Sequence, residues 1–324
     1  MTTKQRDFSI DILKCLAVLL ITWSHFESQL GKYAVLATGG SFGDCLFFFC
    51  SGYTLLLTQR KENFFNWYKR RINRIYPTVF TWALLCSFFF HDTKNMGEII
   101  ISGGGFFVSC IMVFYVIFYI VKKYTSNYVA VCTGTFVICY TAFILIDKNN
   151  SILMFNWRLS MYFLPMLMGA TLGKRITNER FTFRLPIWSR CISLFLSIAA
   201  YYLLMNISQP NTSLEYLYPV VILPQLGVTF FLFSLCKTAY LERIYKKKYI
   251  RFFIRFIGAL CLEVYIVQPI LIREFTLPEL FPINILIVFL IIIGLAYLLK
   301  CISRIWEQTF KEANYDWVYI IKPW

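Results

Sequence analysis

The 324-residue sequence contains few charged residues and very little histidine. Charged side chains make up 15% of the chain and hydrophobic ones 58%, whereas a soluble domain carries roughly 25% charged residues. The two histidines, His25 and His91, are too few for a histidine-based zinc site, and the 11 cysteines contain no C-x-x-C pair. We therefore expect no metal site and no disulfide framework, and the composition argues against an ordinary soluble domain.

Long apolar runs dominate the rest of the sequence, and the mean hydropathy is +0.61. About 20 apolar residues are enough to cross a bilayer as a helix. The runs are approximately Phe8–Phe26, Phe42–Leu57, Pro77–Phe90, Ile99–Val121, Tyr128–Ile146, Leu153–Gly173, Ile187–Asn206, Tyr216–Cys236, Phe252–Ile272 and Leu280–Lys300. Unpaired backbone polar groups are excluded from hydrocarbon, so each run should be helical. The prediction is an all-α integral membrane protein with about ten transmembrane helices, forming one membrane domain over residues 1–324 without a soluble appendage.

Basic residues are distributed unevenly between the predicted loops. With the N-terminus in the cytoplasm, 26 of the 32 Lys and Arg residues face the cytoplasm, five face the other side and Lys14 lies inside the first run. This asymmetry follows the positive-inside rule. It predicts that both termini are cytoplasmic. It also explains the net charge of +15 without a nucleic acid partner.

The first apolar run carries ionisable side chains along one face. Its ionisable members are Asp11, Lys14 and His25, and Asp7 continues the same face just before Phe8. A helix advances about 100° per residue, so His25 returns to within about 20° of Lys14. Ionisable groups inside a membrane are costly and usually face a cavity or a partner. Histidine also suits proton transfer near neutral pH. The alternative is that Lys14 merely extends toward the lipid headgroups.

Two more segments contain candidate binding residues. Ser51 and Gly52 lie near the end of the segment GGSFGDCLFFFCSGY, where small residues indicate either a locally irregular point inside the run or simple close packing of helices. Arg71 and Arg74 lie three residues apart in KRRINRIYP, so they are neighbours if this segment is helical. Arginine pairs suit phosphate binding, although cytoplasmic loops are basic in any case.

A carboxylate lies within the ninth apolar run. The segment GALCLEVYIVQP contains Glu263, with Tyr265 and Gln268 close by. A buried acid should be paired with a cation or protonated. Glu263 is therefore either functional or part of a structural pair that fixes two helices.

Together these features resemble the acyltransferase 3 family of bacterial membrane proteins over nearly the whole chain. The family's opening pattern of arginine, aspartate and a basic residue followed by ten residues and a histidine is similar to Arg6, Asp11, Lys14 and His25. Its other motifs are similar to Gly39 and Gly40 with the run 48–52, to Arg71 and Arg74 before Pro77, and to the segment 261–268 with Glu263 and Tyr265.

This sequence departs from the family pattern at two positions. Lys14 stands where arginine is more common, which keeps the charge but loses the forked geometry of guanidinium. Gln268 stands where the family has histidine, so this position can form hydrogen bonds but cannot act as an acid or base.

The resemblance implies transfer of an acyl group, usually acetyl, from a cytoplasmic coenzyme A thioester to a sugar hydroxyl. The acceptor would be a surface polysaccharide or its lipid-linked precursor, and the location the inner (cytoplasmic) membrane. No permanently bound cofactor is expected. On this reading His25 and Glu263 are the catalytic candidates, and Lys14, Arg71, Arg74, Ser51 and Gly52 bind the acyl-CoA donor. Asp11, Tyr265 and Gln268 support them, with Asp11 one turn from Lys14 and placed to hold it. Trp23, Trp157 and Tyr162 are weaker candidates for stacking on sugar rings.

Two other functions fit parts of the sequence. A transporter or flippase of a lipid-linked glycan would also use many spans and a charged stripe. Such proteins often show repeated halves with interrupted helices, and no half-to-half similarity is visible here. A membrane assembly partner without catalysis is the third possibility. Replacement of His25 by alanine separates these functions, because only an enzyme should lose acylation.

Overall fold

The computed structural model describes residues 7–55, 63–90, 94–125, 127–146, 151–177, 183, 185–209, 212–309, 314–322 and 324. All regular structure in these residues is helical, and they contain no strand. This confirms the prediction of an all-α protein. Arg6 and His91 lie outside the described residues.

Sixteen α-helices and three short 3₁₀ helices are described. The α-helices are α1 (Phe8–Ser24), α2 (Glu27–Leu30), α3 (Gly40–Leu55), α4 (Phe64–Phe90), α5 (Met96–Ser102), α6 (Gly105–Tyr124), α7 (Tyr128–Leu145), α8 (Ser151–Met161), α9 (Phe163–Thr177), α10 (Ile187–Ile207), α11 (Ile222–Cys236), α12 (Ala239–Tyr245), α13 (Lys248–Ala259), α14 (Cys261–Glu274), α15 (Ile283–Thr309) and α16 (Trp317–Ile321). The 3₁₀ helices are Gly31–Leu36, Glu215–Val221 and Pro278–Leu280.

Fewer helices qualify as membrane spans than the sequence predicted. Five described helices are long and apolar enough, namely Gly105–Tyr124, Tyr128–Leu145, Ile187–Ile207, Glu215–Cys236 and Ile283–Thr309. The bent pair Phe8–Ser24 and Glu27–Leu36 makes six if it forms one span. Several other apolar runs form helices too short for the roughly 20 residues that a crossing needs, such as α3 with 16 residues and α14 with 14. The count of ten and the orientation of the termini are therefore not confirmed.

The chain divides into two compact units built from interleaved segments. The first unit comprises Met1–Leu13, Ser41–Arg60 and Ile120–Arg251, and the second comprises Lys14–Gly40, Lys61–Tyr119 and Phe252–Trp324. The prediction of one membrane domain over residues 1–324 stays a prediction. The first unit holds α3 and α7–α12, and the second holds α2, α4, α5 and α14–α16.

In the first unit, small residues allow α3 and α9 to approach closely. A Cβ atom on Gly52 would lie 1.8 Å from the carbonyl oxygen of Met166, and one on Gly169 would lie 2.1 Å from that of Phe49. Only glycine permits backbones to come this close. The two helices are therefore locked together at glycine-to-backbone contacts.

A hydrogen-bonded carboxylate ties the start of α1 to two other parts of the first unit. Asp7 Oδ2 accepts hydrogen bonds from Lys237 Nζ at 2.5 Å and from the Tyr53 hydroxyl at 2.7 Å. Its Oδ1 accepts from the Ser9 hydroxyl at 2.6 Å. Burial acts to raise the pKa of Asp7, but the hydrogen bonds and the Lys237 charge outweigh it and lower that pKa. Asp7 thus connects α1 to α3 and to the residue after α11.

In the second unit, two buried amides hold α2 against α14 and α15. Asn284 Nδ2 donates to the backbone oxygen of Gln29 at 2.7 Å. Gln29 Oε1 accepts from the backbone N–H of Leu277 at 3.2 Å, beyond the end of α14. Both amide side chains are fully buried. These bonds fix the segment that follows His25.

Candidate active site

His25 lies at a sharp bend in the second unit. Helix α1 ends at Ser24, and the helical segment Glu27–Leu36 continues at 62° to it. The His25 side chain is exposed, whereas the preceding Thr22 is buried. The bend is held by Trp23, whose indole Nε1 donates to the backbone oxygen of Leu36 at 2.7 Å. The imidazole is therefore exposed at the point where an apolar helix is interrupted.

One turn before His25, α1 is hydrogen-bonded to α14. The Thr22 hydroxyl donates to Gln268 Oε1 at 2.9 Å. Gln268 is fully buried, and its Nε2 has no hydrogen-bond partner among the described residues. The contact places Gln268 beside the end of α1, one turn before His25.

The segment with Arg71 and Arg74 is helical, as the spacing argument required, because α4 continues through Pro77. The Arg71 guanidinium lies 5.1 Å from the Trp67 ring centroid and 5.5 Å from that of Tyr115. Such contacts orient a guanidinium without neutralising its charge. Arg74 is exposed on the same helix. The two arginines thus form a basic face of α4, with Arg71 held by aromatic rings.

Glu263 pairs with a cation that the sequence reasoning did not single out. Its Oε1 lies 3.7 Å from Lys300 Nζ, and both side chains are largely buried. Lys300 also donates a hydrogen bond to the backbone oxygen of Ala259, next to the break between α13 and α14. Glu263 Oε2 is buried and has no hydrogen-bond partner among the described residues.

Lys300 connects this pair to the basic face of α4. Arg74 repels the Lys300 ammonium electrostatically, while Glu263 attracts it. Helix α15, which carries Lys300, packs against both α4 and α14. The second unit therefore brings Arg74, Lys300 and Glu263 into one charged cluster.

Tyr265 lies on α14 in an aromatic contact. Its ring centroid is 4.9 Å from that of Phe107 and 5.9 Å from that of Phe106. Gly105 adjoins the same ring and has a φ of +67°, which suits glycine. Tyr265 thus fixes α14 against the start of α6.

Asp11 and Lys14 occupy α1 on either side of the division between the units. The Tyr245 hydroxyl donates to Asp11 Oδ2 at 2.7 Å within the first unit. Asp11 is buried and Lys14 is half-buried. That Asp11 holds the Lys14 side chain in place stays a prediction.

Ser51 and Gly52 lie on α3 in the first unit. Gly52 faces the backbone of Met166, as described above, so the close-packing alternative accounts for it. Ser51 is half-buried, and its carbonyl oxygen accepts a hydrogen bond from the Thr54 hydroxyl at 3.0 Å. Their role in binding a donor stays a prediction.

The aromatic residues proposed for sugar stacking have partners within the protein. Trp157 is buried, and its indole donates to the Cys139 backbone oxygen at 2.7 Å. Tyr162 is buried and stacked on Phe48, with ring centroids 5.6 Å apart. Both rings therefore pack against other residues of the first unit.

Several ionisable residues inside apolar helices are not among the sequence candidates, and two of them are Lys300 and Asp44. Lys300 lies at the end of the tenth predicted run, on α15. Asp44 lies in the second run, on α3, and was not weighed. Both are ionisable side chains within apolar runs, and this is the sequence signal that could have identified them.

Comparison with known proteins finds a family match that covers most of the chain. Residues 7–304 match the model of the acyltransferase 3 family, which is described as an acyltransferase domain. No curated protein and no solved structure matches the chain. The family match runs through both units and includes every candidate residue that the structure describes. The chain therefore belongs to the acyltransferase 3 family and is a multi-pass membrane acyltransferase.

Proposed function

We propose that this acyltransferase moves an acetyl group from cytoplasmic acetyl-CoA to a hydroxyl of a cell-surface polysaccharide or its lipid-linked precursor. The observation that carries the proposal is the position of His25, exposed at the 62° bend between α1 and the next helical segment. A neutral imidazole at such a point can accept a proton from an alcohol. The thioester is already activated, so the acceptor hydroxyl is the group that needs a base.

The donor site in this proposal is the basic face of α4 together with Lys14. Acetyl-CoA carries phosphates, and guanidinium groups bind phosphate oxygens by paired hydrogen bonds. Arg71 is pre-oriented by the Trp67 and Tyr115 rings, which reduces the ordering that binding requires. Arg74 lies one turn further along α4 and is exposed.

The proposed transfer proceeds by direct attack. The acceptor oxygen forms a bond with the thioester carbonyl carbon while His25 takes the hydroxyl proton. The carbon–sulfur bond then breaks, coenzyme A leaves as a thiolate, and the imidazolium returns its proton to the sulfur. The products are an acetyl ester and free coenzyme A. An acyl-histidine intermediate is the alternative route, and a burst of coenzyme A release before ester formation would identify it.

The proposal places the protein in the inner membrane with both termini in the cytoplasm. Its support is the 26 basic residues on the predicted cytoplasmic side against five on the other. In this orientation Arg71 and Arg74 lie near the cytoplasm, where acetyl-CoA is available, and His25 lies toward the outer end of α1.

The test uses the full-length protein in lipid nanodiscs with radiolabelled acetyl-CoA and isolated cell-surface glycan. We expect wild-type protein to form labelled ester and free coenzyme A in equal amounts. His25→Asn should reduce the rate by about 10²–10⁴-fold, the usual contribution of a positioned acid–base group. The matched control is His91→Asn, which changes the only other histidine in the sequence and should retain activity. Equal rates for His25→Asn and wild type would overturn the proposed role.

A further inference from the structure

A strongly basic surface lies in the first unit, and the proposed reaction uses none of its charges. It covers residues 239–251, which form α12, the turn after it and the first turn of α13, and it is called the basic surface below. This segment contains five basic residues and one acidic residue. The basic residues, all of them exposed, are Arg243, Lys246, Lys247, Lys248 and Arg251.

Helix α12 has two different sides. Tyr240 and Arg243 lie about one turn apart on it, and both are exposed. Leu241, Ile244 and Tyr245 are half-buried. The helix therefore turns its apolar side toward the protein and presents its basic side to the surroundings.

Contacts with the start of α1 fix the basic surface in place. The Tyr245 hydroxyl donates to Asp11 Oδ2 at 2.7 Å, and the Tyr245 ring centroid lies 5.7 Å from that of Phe8. In the turn before α12, Lys237 is bonded to Asp7 as described above. The basic surface is thus anchored to an apolar helix at two points and is not a loose loop.

The position of the basic surface in the chain places it next to the membrane. The helical segment Glu215–Cys236 is long and apolar enough to cross a bilayer. Helix α12 begins at Ala239, three residues after that segment ends. Three residues reach at most about 11 Å even when fully extended. The basic surface therefore lies close to the lipid headgroups, which border the hydrocarbon core.

Most charges of the basic surface are not neutralised within the protein. Lys246 Nζ lies 2.8 Å from Glu242 Oε1, and both side chains are exposed, so this pair contributes little to stability. The other four basic residues have no ion-pair partner in the part of the chain that the structure describes. Basic clusters that adjoin a membrane span attract negatively charged lipid headgroups.

Two exposed tyrosines favour a lipid surface over a soluble anion. Tyr240 is 65% exposed and Tyr249 is 84% exposed. Amphipathic aromatic rings are enriched at the boundary between membrane and water. A soluble polyanion would use the charges of this surface but not the rings. Basic and aromatic side chains together are typical of helices that lie on anionic membranes.

We propose that the basic surface binds anionic lipid headgroups of the adjoining leaflet, with its guanidinium and ammonium groups contacting headgroup phosphates. In the orientation proposed above, this is the cytoplasmic leaflet. Bound lipid holds the end of α11 and the start of α1 at the membrane surface, which stabilises the first unit. The inference goes beyond the proposed reaction and does not depend on which acceptor is acylated.

The test uses the full-length protein in nanodiscs of phosphatidylcholine, with or without phosphatidylglycerol. Native mass spectrometry counts the lipids that the protein retains on release from the disc, and thermal unfolding gives its melting temperature. The test variant combines Arg243→Gln, Lys247→Gln and Lys248→Gln. The matched control combines Lys69→Gln, Arg70→Gln and Lys123→Gln, which removes the same charge from exposed residues on the same predicted side of the membrane.

We expect wild-type protein to retain phosphatidylglycerol in preference to phosphatidylcholine. The test variant should retain about ten-fold less phosphatidylglycerol, because three groups that attract the headgroup are lost, and the control variant should behave like wild type. Phosphatidylglycerol should raise the melting temperature of wild type and control but not that of the test variant. In pure phosphatidylcholine all three proteins should melt alike.

Four results would overturn the proposal. Equal retention of both lipids by wild type would show that the protein does not select anionic lipid. Equal losses in the test and control variants would show an effect of net charge alone. Equal stabilisation of wild type by inorganic pyrophosphate in phosphatidylcholine discs would indicate a site for soluble anions. If the test variant proves unstable, Lys247→Arg with Lys248→Arg keeps the charge and should retain the lipid, and its failure to do so would be the fourth.

Discussion

Lys300 Nζ lies 3.7 Å from Glu263 Oε1, and this pair joins α15 to α14 inside the second unit. The side chains are 13% and 8% exposed, so neither charge is well solvated. The Glu263 carboxylate therefore has a structural partner, and its proposed catalytic role must be separated from that pairing.

Removing one member of the Glu263–Lys300 pair should destabilise the fold more than removing both. Glu263→Gln leaves the Lys300 ammonium buried without a counter-charge, which we expect to cost about 3–5 kcal/mol of folding free energy. Glu263→Gln combined with Lys300→Met should recover most of that loss, as measured by thermal unfolding in detergent. A double variant that is stable but inactive would assign Glu263 a catalytic role, whereas one that is stable and active would assign it a structural role only.

The stacking of Arg71 on Trp67 and Tyr115 predicts that lysine cannot replace it. Lysine retains the charge but lacks the planar guanidinium group that lies against both rings. It also cannot form the paired hydrogen bonds by which guanidinium binds phosphate. Arg71→Lys should raise the KM for acetyl-CoA about ten-fold, equivalent to about 1.4 kcal/mol, with little change in kcat. Arg70→Lys is the control, because Arg70 is exposed on the same helix. Equal KM values for the two variants would contradict donor binding by Arg71.

Gly52 should tolerate no side chain, whereas Gly134 should tolerate one. A Cβ at Gly52 would meet the Met166 carbonyl oxygen at 1.8 Å, but one at Gly134 has nothing within 4 Å. We expect Gly52→Ala to cost about 1–3 kcal/mol through overpacking. Gly134→Ala should be neutral or stabilising, since alanine favours a helix by up to about 1 kcal/mol. Comparable melting temperatures for the two variants would show that α3 and α9 do not pack as described.

The lowered pKa of Asp7 predicts a specific loss of stability in acid. A carboxyl group with a folded-state pKa below its ordinary value of 3.8 stabilises the fold above that value, and this contribution is lost as pH falls toward the folded-state pKa. The melting temperature of wild-type protein should therefore decrease as pH drops below about 4. In Asp7→Asn this part of the pH dependence should be absent, and parallel curves for both proteins would contradict it.

The sequence predicted the helical character of the chain because apolar runs of spanning length have few alternatives in a bilayer. It did not predict where helices break. The first apolar run predicts one helix from Phe8 to Phe26, but α1 ends at Ser24 and the chain bends there. The bend depends on contacts such as Trp23 to Leu36, which helical periodicity does not encode.

The sequence identifies the candidate residues by their side-chain chemistry, but it does not identify the residues that they contact. Glu263 and Lys300 are far apart in sequence, and only the packing of α14 on α15 brings them together. Asp44 could have been found by the reasoning that identified Glu263, since it is also a carboxylate within an apolar run. Its hydrogen bond with the Tyr162 hydroxyl required the fold.

We propose that His25 is the base of an acetyltransferase that acts on a cell-surface glycan. The most direct measurement is the amount of ester-linked acetate on purified glycan, by NMR, in cells that lack the gene and carry wild type or His25→Ala. We expect acetate to disappear on deletion and to return only with wild type. Unchanged acetate in all strains, with reduced display of glycan at the surface, would contradict it and indicate a transporter.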